Sequence, residues 1–296
     1  MAGREDSETG DPAAAEPPRT GRIDLSGEAV VWDLDPEQSY GGYLQLDRIL
    51  SAQRPRSNQH DEMLFIIIHQ ASELWMKLCL HELKATIAAI RRDELDPCFK
   101  MLARIARIQA QLTQSWDVLA TMTPFDYSSF RNSLGSSSGF QSAQYRMLEF
   151  MIGNKNAELI RVHKGDPAAY AELDRALNAP SLYDECLRLL SRRGFEIPDQ
   201  YLDRDFSQPY VPDKRVSAAW LAVYHNAEAY WDLYELAEKL VDLDHHFQLW
   251  RFSHMKTVER IIGYKRGTGG TSGVAYLGRA LELKFFPELW SIRTAM

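Results

Sequence analysis

The residues best placed to do chemistry are histidines on apolar helix faces. His254 sits in the series Phe247, Trp250, His254, Val258, Ile261, spaced 3, 4, 4 and 3, so its imidazole points toward the core. A histidine in that position is either a core side chain hydrogen-bonded to a neighbour or a ligand to a metal or a haem iron. His69 follows Phe65 by four residues and precedes Glu73 by four, so it shares a face with a ring and with a carboxylate. A surface pair and a His/Glu metal couple both suit it. His245 and His246 lie near Asp242 and Asp244 in a loose Asp-x-x-His arrangement, which fits a solvated charged face better than a di-metal site.

Tyr127 and Arg131 are four residues apart on a helix, and together they offer a hydroxyl and a guanidinium fork to one carboxylate. An exposed Tyr/Arg stack has the same spacing. Ser136, Ser137 and Ser138 form either a plain loop or a set of hydroxyl donors. Residues 266–273 hold four glycines in eight positions. No Gly-Lys-Ser/Thr follows them and no strand precedes them, so neither nucleotide fingerprint applies. A mobile lid, a backbone cradle for an anion and an ordinary flexible connector all suit that composition.

The elements that must position these groups read as helices. A short helical segment is predicted over residues 40–50. A long helix capped by Asp61 runs from Met63 to about Ile90, and Pro97 opens a second through Leu119. Thr123 and Pro124 form a cap followed by proline at the first helical position, and that helix should stop at Gly135. Further helices are expected over about 140–152, 168–177 and 181–193, two long ones within 213–262, and a last one over about 274–283. Strand-like alternation is absent. The fold class is therefore all-α, a bundle of long helices, with the proline-rich residues 165–215 as a small helical excursion from a single domain over 31–296. Residues 1–20 carry five acids against two bases among alanine, glycine and proline, and an acidic disordered tail is expected over 1–30.

Composition narrows the function. The 296 residues hold 34 Lys and Arg against 41 Asp and Glu, a formal charge of −7, which argues against a nucleic-acid partner. The most apolar run, residues 63–68, falls well short of the roughly 20 residues a membrane span needs, and no targeting segment is evident. Three widely spaced cysteines, Cys79, Cys98 and Cys186, suit neither a disulfide framework nor a zinc site and fit a reducing cytoplasm.

Taken together, the motifs resemble the tryptophan 2,3-dioxygenase family. The resemblance rests on Tyr40-Gly41-Gly42-Tyr43-Leu44-Gln45-Leu46-Asp47, on Phe65-Ile66-Ile67-Ile68-His69-Gln70 with Ser72-Glu73-Leu74-Trp75-Met76-Lys77, and on Phe130-Arg131. It continues through Ser137-Ser138-Gly139-Phe140-Gln141-Ser142, Gln144-Tyr145-Arg146, Phe247-Gln248-Leu249-Trp250-Arg251-Phe252, His254-Met255 and Gly263-Tyr264-Lys265-Arg266-Gly267-Thr268-Gly269-Gly270, and spans roughly residues 38–294. It implies a cytoplasmic all-α homotetramer whose helices enclose a pocket for haem b. The implied reaction inserts both atoms of O2 across the indole C2–C3 bond of L-tryptophan to give N-formyl-L-kynurenine, the first step of tryptophan degradation by the kynurenine pathway. On this resemblance His254 is the proximal ligand to the haem iron. Phe65 packs on the indole, His69 accepts the indole N–H as the catalytic residue, and Tyr127 and Arg131 hold the substrate carboxylate. Thr268 meets the ammonium and carboxylate end, Ser138 lies in the distal pocket, and Tyr40, Tyr43 and Leu44 reach a neighbouring subunit's site.

Two other readings use the same residues. A non-haem di-metal bundle would take His69, Glu73, Asp242 and His245. A tryptophan-binding sensor would need the pocket but no iron ligand, and the presence of both His254 and His69 argues against it. The Gly267-Thr268-Gly269-Gly270 loop and His69 favour this family over the related indoleamine dioxygenases.

Overall fold

A 4, 3 repeat of buried residues organises the bundle. In the computed structural model, which describes residues 21, 23 and 25–296, all regular structure among the described residues is helical. Most of the acidic tail expected over residues 1–30 lies outside them. By backbone contacts the chain divides into two units, one up to Ala52 and one from Gln53 onward.

The first unit carries α1 (Tyr40–Leu44) and α2 (Leu46–Leu50), as predicted over residues 40–50. The Ser39 hydroxyl caps α1 by accepting from the Gly42 N–H. Gly42 has no room for a side chain, because a Cβ would stand 2.0 Å from the Pro36 carbonyl oxygen. Tyr40, Tyr43 and Leu44 are exposed, the two tyrosines by more than three quarters of their area.

The second unit is built on α3 (His60–Arg91), α4 (Leu95–Leu119) and α11, with α3 packed on α4 and α4 on α11. The turn between α3 and α4 takes only three residues. Asp93 adopts φ 62 there, and Arg193 holds its carboxylate with Nε and Nη2 at 2.6–3.0 Å. Along α4 the buried residues fall at Cys98, Leu102, Ile105, Gln109, Leu112, Trp116 and Leu119. This alternation of four and three keeps one face toward the core for the whole helix. Asp61 does not cap α3. It lies inside the first turn beside Glu62, whose carboxylate accepts from the Arg56 and Ser57 N–H groups.

By length and composition α3 is apolar enough to cross a membrane, more so than the run over residues 63–68 suggested. Its apolar side chains have two destinations. Met76, Leu80, Leu83, Ile87 and Ile90 enter the core, whereas Met63, Ile67, Leu74 and Leu78 form an exposed stripe.

The remaining helices are α5 (Pro124–Phe130), α6 (Ala143–Ile152), α7 (Pro167–Asn178), α8 (Leu182–Arg192), α9 (Asp199–Leu202), α10 (Lys214–His225), α11 (Trp231–Ile262), α12 (Val274–Leu281) and α13 (Pro287–Ser291). Thr123 and Asp126 form a full capping box on α5, with Pro124 at the first position as predicted. The chain tightens to a 3-10 turn over Arg131–Leu134 before stopping at Gly135, which has φ 58. The helix expected from about residue 140 is interrupted at its start. A 3-10 turn over Gly139–Gln141 ends at Ser142, whose hydroxyl captures the Tyr145 N–H and so begins α6 afresh.

Buried carboxylates tie the later segments to the bundle. Asp244 on α11 accepts from the Phe285 N–H at 3.0 Å, the Trp290 indole N–H at 2.9 Å and the Gln248 amide at 3.2 Å. Burial holds its carboxyl above the ordinary range against those bonds. Glu288 likewise accepts from Tyr183, Tyr210 and the Asp213 N–H, joining α13 to α8 and the start of α10. The expected outcome for Asp244→Ala is a loss of about 3 kcal/mol or more, because three donors, the buried Phe285 N–H among them, lose their acceptor. Urea midpoints at unchanged m would measure it, and a loss below about 1 kcal/mol would show that water replaces the carboxylate.

Candidate active site

The 4, 3 alternation along α11 runs Leu233, Leu236, Leu240, Leu243, Phe247, Trp250, His254, Thr257, Ile261. It therefore carries the imidazole of His254 to the same inner face as the core leucines. Trp116, near the end of the matching series on α4, stacks on it with ring centroids 4.5 Å apart and planes 16° apart. Trp250, four residues before His254, lies 5.9 Å from the same imidazole at 27° and 5.8 Å from the Trp116 ring. Among the described residues neither ring nitrogen of His254 finds a hydrogen-bond partner, so the satisfied core histidine is not what the structure contains. The ring instead faces a cavity of about 450 Å³, within the range of small-molecule and cofactor pockets.

His69 also meets Trp116, 6.5 Å from the indole ring in an edge-on arrangement. Its Nδ1 lies 2.7 Å from the Phe65 carbonyl oxygen. A carbonyl only accepts, so Nδ1 carries the proton and Nε2 keeps its lone pair. The Phe65 ring lies 4.1 Å from the imidazole and 6.1 Å from the ring of Tyr127. Phe65, His69, Trp116, Tyr127 and His254 all line the one cavity.

Burial pushes both imidazoles below the ordinary histidine value. For His254 burial comes first and the neighbouring His69 second, giving about 4; for His69 the direction is the same, opposed by the Phe65 carbonyl and by Glu73. Both rings are thus neutral near pH 7. A neutral imidazole with a free nitrogen is what a metal ligand requires.

The glycine loop closes one side of the cavity. The Thr268 hydroxyl donates to the Ser137 carbonyl at 2.5 Å, and the Gly267 N–H donates to the Thr271 carbonyl at 3.1 Å. Two glycines here have a specific cause. A Cβ on Gly269 would meet the Ser138 Cβ at 2.7 Å, and Gly273 has φ 62 with the Lys265 carbonyl 2.6 Å from where a Cβ would stand. Ser138 lines the cavity and caps the next turn by accepting from the Phe140 N–H at 3.3 Å. Arg131 is not among the lining residues. Its Nη2 donates to the Arg266 carbonyl at 2.7 Å, while its Nε is buried with no partner. Burial raises the Tyr127 hydroxyl above its ordinary value, and Arg131 opposes that shift.

Several residues that sequence reasoning passed over complete the walls. Arg146 and Glu149 on α6, with Arg251 on α11, form a buried charged group on the cavity. Its signal was an Arg/Glu pair at i, i+3 inside an otherwise apolar helix. The di-metal set is not assembled. Asp242 and His245 are exposed, Asp244 serves the C-terminal segment, and no group of three such ligands gathers among the described residues.

The neutral histidines generate a pH prediction. Between about pH 4 and 6.5 the folded protein binds fewer protons than the unfolded chain, so cofactor-free protein loses stability as pH falls through that window. His254 alone accounts for about 3 kcal/mol between pH 7 and pH 4. Urea midpoints at pH 7 and pH 4.5 should converge in His254→Leu relative to wild type. An unchanged acid slope in that variant would assign the sensitivity to other groups.

The comparisons agree with the motif resemblance. A family model described as tryptophan 2,3-dioxygenase matches residues 27–296. A tryptophan 2,3-dioxygenase of Burkholderia pseudomallei (strain 1106a) is 60% identical over 264 residues, covering 89% of this chain and 86% of that protein. One of Geobacillus thermodenitrificans (strain NG80-2) is 58% identical, covering 89% and 94%. One of Bacillus thuringiensis (strain Al Hakam) is 57% identical, covering 89% and 95%.

Proposed function

The chain belongs to the tryptophan 2,3-dioxygenase family and is an oxidoreductase that adds dioxygen to tryptophan; from that premise we propose how its own residues do so. The cofactor is haem b, with His254 as its proximal ligand. One observation carries this reading: an imidazole with both nitrogens free of hydrogen bonds, neutral at pH 7, beside the indoles of Trp116 and Trp250 and facing a largely apolar cavity. A flat apolar macrocycle with one axial imidazole suits those walls. The haem, when bound, supplies the iron at which O2 is held and made reactive, and the product is N-formyl-L-kynurenine.

The protein's part is binding, orientation and exclusion of water. The indole of L-tryptophan packs on Phe65 in the space beside His69. Its N–H donates to the Nε2 lone pair of His69, which is available because Nδ1–H is committed to the Phe65 carbonyl. Without that acceptor the N–H would be buried unpaired, at about 1–3 kcal/mol. Tyr127 and Arg131 take the carboxylate, the unpartnered Nε of Arg131 being a donor that a carboxylate would satisfy. Thr268 meets the ammonium and carboxylate end from the glycine loop, and Ser138 packs under that loop in the distal pocket. With the loop shut, water is kept from the reacting centre.

Assembly as a homotetramer in the cytoplasm completes the reading. It is supported by the exposed apolar stripe on α3, by the exposure of Tyr40, Tyr43 and Leu44, which would enter a neighbouring subunit's site, and by the three free buried thiols.

Absorption spectra of protein expressed with a haem supply, before and after dithionite, test the cofactor. A Soret band that shifts on reduction and is lost in His254→Ala is expected; iron without a Soret band would overturn the haem assignment. Arg131→Leu should raise KM for L-tryptophan roughly ten- to hundredfold while the Soret band persists. An unchanged KM would remove Arg131 from the carboxylate site.

A further inference from the structure

Ring contacts run from Tyr127 through Phe65, His69, Trp116, His254 and Trp250 to Tyr145. Beyond Tyr145 the cavity wall carries Arg146, Glu149 and Arg251, which are 2%, 3% and 4% exposed. Glu149 accepts from Arg146 Nη1, from Arg251 Nη2 at 2.5 Å, from the Tyr145 hydroxyl at 3.0 Å and from Asn154 at 3.1 Å. Arg251 is fully engaged, because its Nε also donates to Tyr145 at 3.2 Å and its Nη1 to the Ala280 carbonyl at 3.0 Å.

Arg146 is different. Only its Nη1 is hydrogen-bonded, and its Nε is buried with no partner. Its guanidinium is held over the rings of Phe140 and Tyr145 at 5.8 and 5.5 Å, so it is fixed in place without its donors being used. Two guanidiniums therefore share one carboxylate. The other carboxylate on this wall, Glu73, is engaged by the Gln144 amide at 2.7 Å and makes no ion pair with Arg146. A surplus buried cation on an apolar wall is costly unless an anion joins it.

We propose that Arg146 docks a carboxylate of the bound cofactor, a propionate side chain of the haem, through its unpaired Nε–H and its Nη2 donors. This rests on the haem reading above. The substrate carboxylate is accounted for by Tyr127 and Arg131 at the other end of the series of rings, with His254 and Trp250 lying between. A macrocycle held by His254 has Arg146 within the same cavity, and a propionate there completes one carboxylate for each guanidinium. Removing Arg146 leaves Glu149 balanced by Arg251, so the protein itself loses no necessary countercharge.

The test compares iron protoporphyrin IX with its dimethyl ester, which cannot form the ion pair. Wild type and Arg146→Met, emptied of haem and refilled with each, are followed by the rate of porphyrin loss to a globin scavenger. The expected result is that Arg146→Met loses the free acid roughly ten- to hundredfold faster than wild type, with little change for the ester. Equal acceleration for both porphyrins, or none for the acid, would overturn the proposal. Arg146→Lys, which keeps a point charge, should show the same selective effect at smaller size, and decides the matter if the methionine variant does not fold. A wild type that takes up neither porphyrin would instead refute the haem reading. A free carboxylate ligand as the true occupant would show as protection of Arg146-dependent stability by acetate or propionate without any difference between the two porphyrins.

Discussion

The site depends on keeping an imidazole nitrogen free inside an apolar core. A buried polar atom without a partner is ordinarily eliminated, because its desolvation is not offset. Here the cost is contained by stacking. Trp116 stacks on one face of His254, and Trp250 packs beside both rings, so the imidazole is held without being hydrogen-bonded. That arrangement needs α4 and α11 in one register, since each contributes to the stack from the same inner face that buries its leucines. The bundle's packing and the site's geometry are thus set by the same repeat.

The second requirement is to hold irregular chain against that bundle. The glycine loop and the Ser137–Phe140 stretch carry few apolar residues of their own, whereas the C-terminal segment buries Phe285, Phe286, Leu289 and Ile292 in the core. Polar anchors hold all of them: Asp244 for Phe285 and Trp290, Glu288 for α8, α10 and α13, Arg131 for Arg266, and Thr268 for Ser137. The anchors of the glycine loop are single hydrogen bonds near the surface, whereas those of the C-terminal segment are multiple and buried. The glycine loop is thus the more easily released of the two segments, which suits the closing role proposed for it.

Much of this was legible in the sequence, for identifiable reasons. Helix spacing placed His254 inward and put Tyr127 four residues from Arg131, because periodicity is a property of the local chain. Thr123 and Pro124 marked a helix start because a capping box is complete within four residues. The contacts of Trp116 were not legible: as a helix residue on an apolar face it reads as core, and only the approach of α11 makes it the partner of His254. Asp244 read as part of a charged face because its three donors come from Gln248 and from a segment some forty residues away. Arg131 read as a carboxylate fork, and the structure shows half of that fork occupied by the Arg266 carbonyl. In each case the missing information was tertiary.

The two histidines also constrain one another. Both contact Trp116 and line one cavity of low polarity, and a proton on either would repel a proton on the other. Their proposed roles make the same demand, since in that reading His254 offers a lone pair to iron and His69 offers one to an indole N–H. Both fail if the ring is protonated. Protons compete with a metal for an imidazole, so ligation weakens as pH approaches the ligand's own titration. With His254 depressed to about 4, that competition is negligible at neutral pH. The same burial that makes the cavity apolar enough for the proposed indole and porphyrin therefore keeps both nitrogens unprotonated. A more polar cavity would hold apolar ligands less well and would bring protonation of the imidazoles closer to neutral pH.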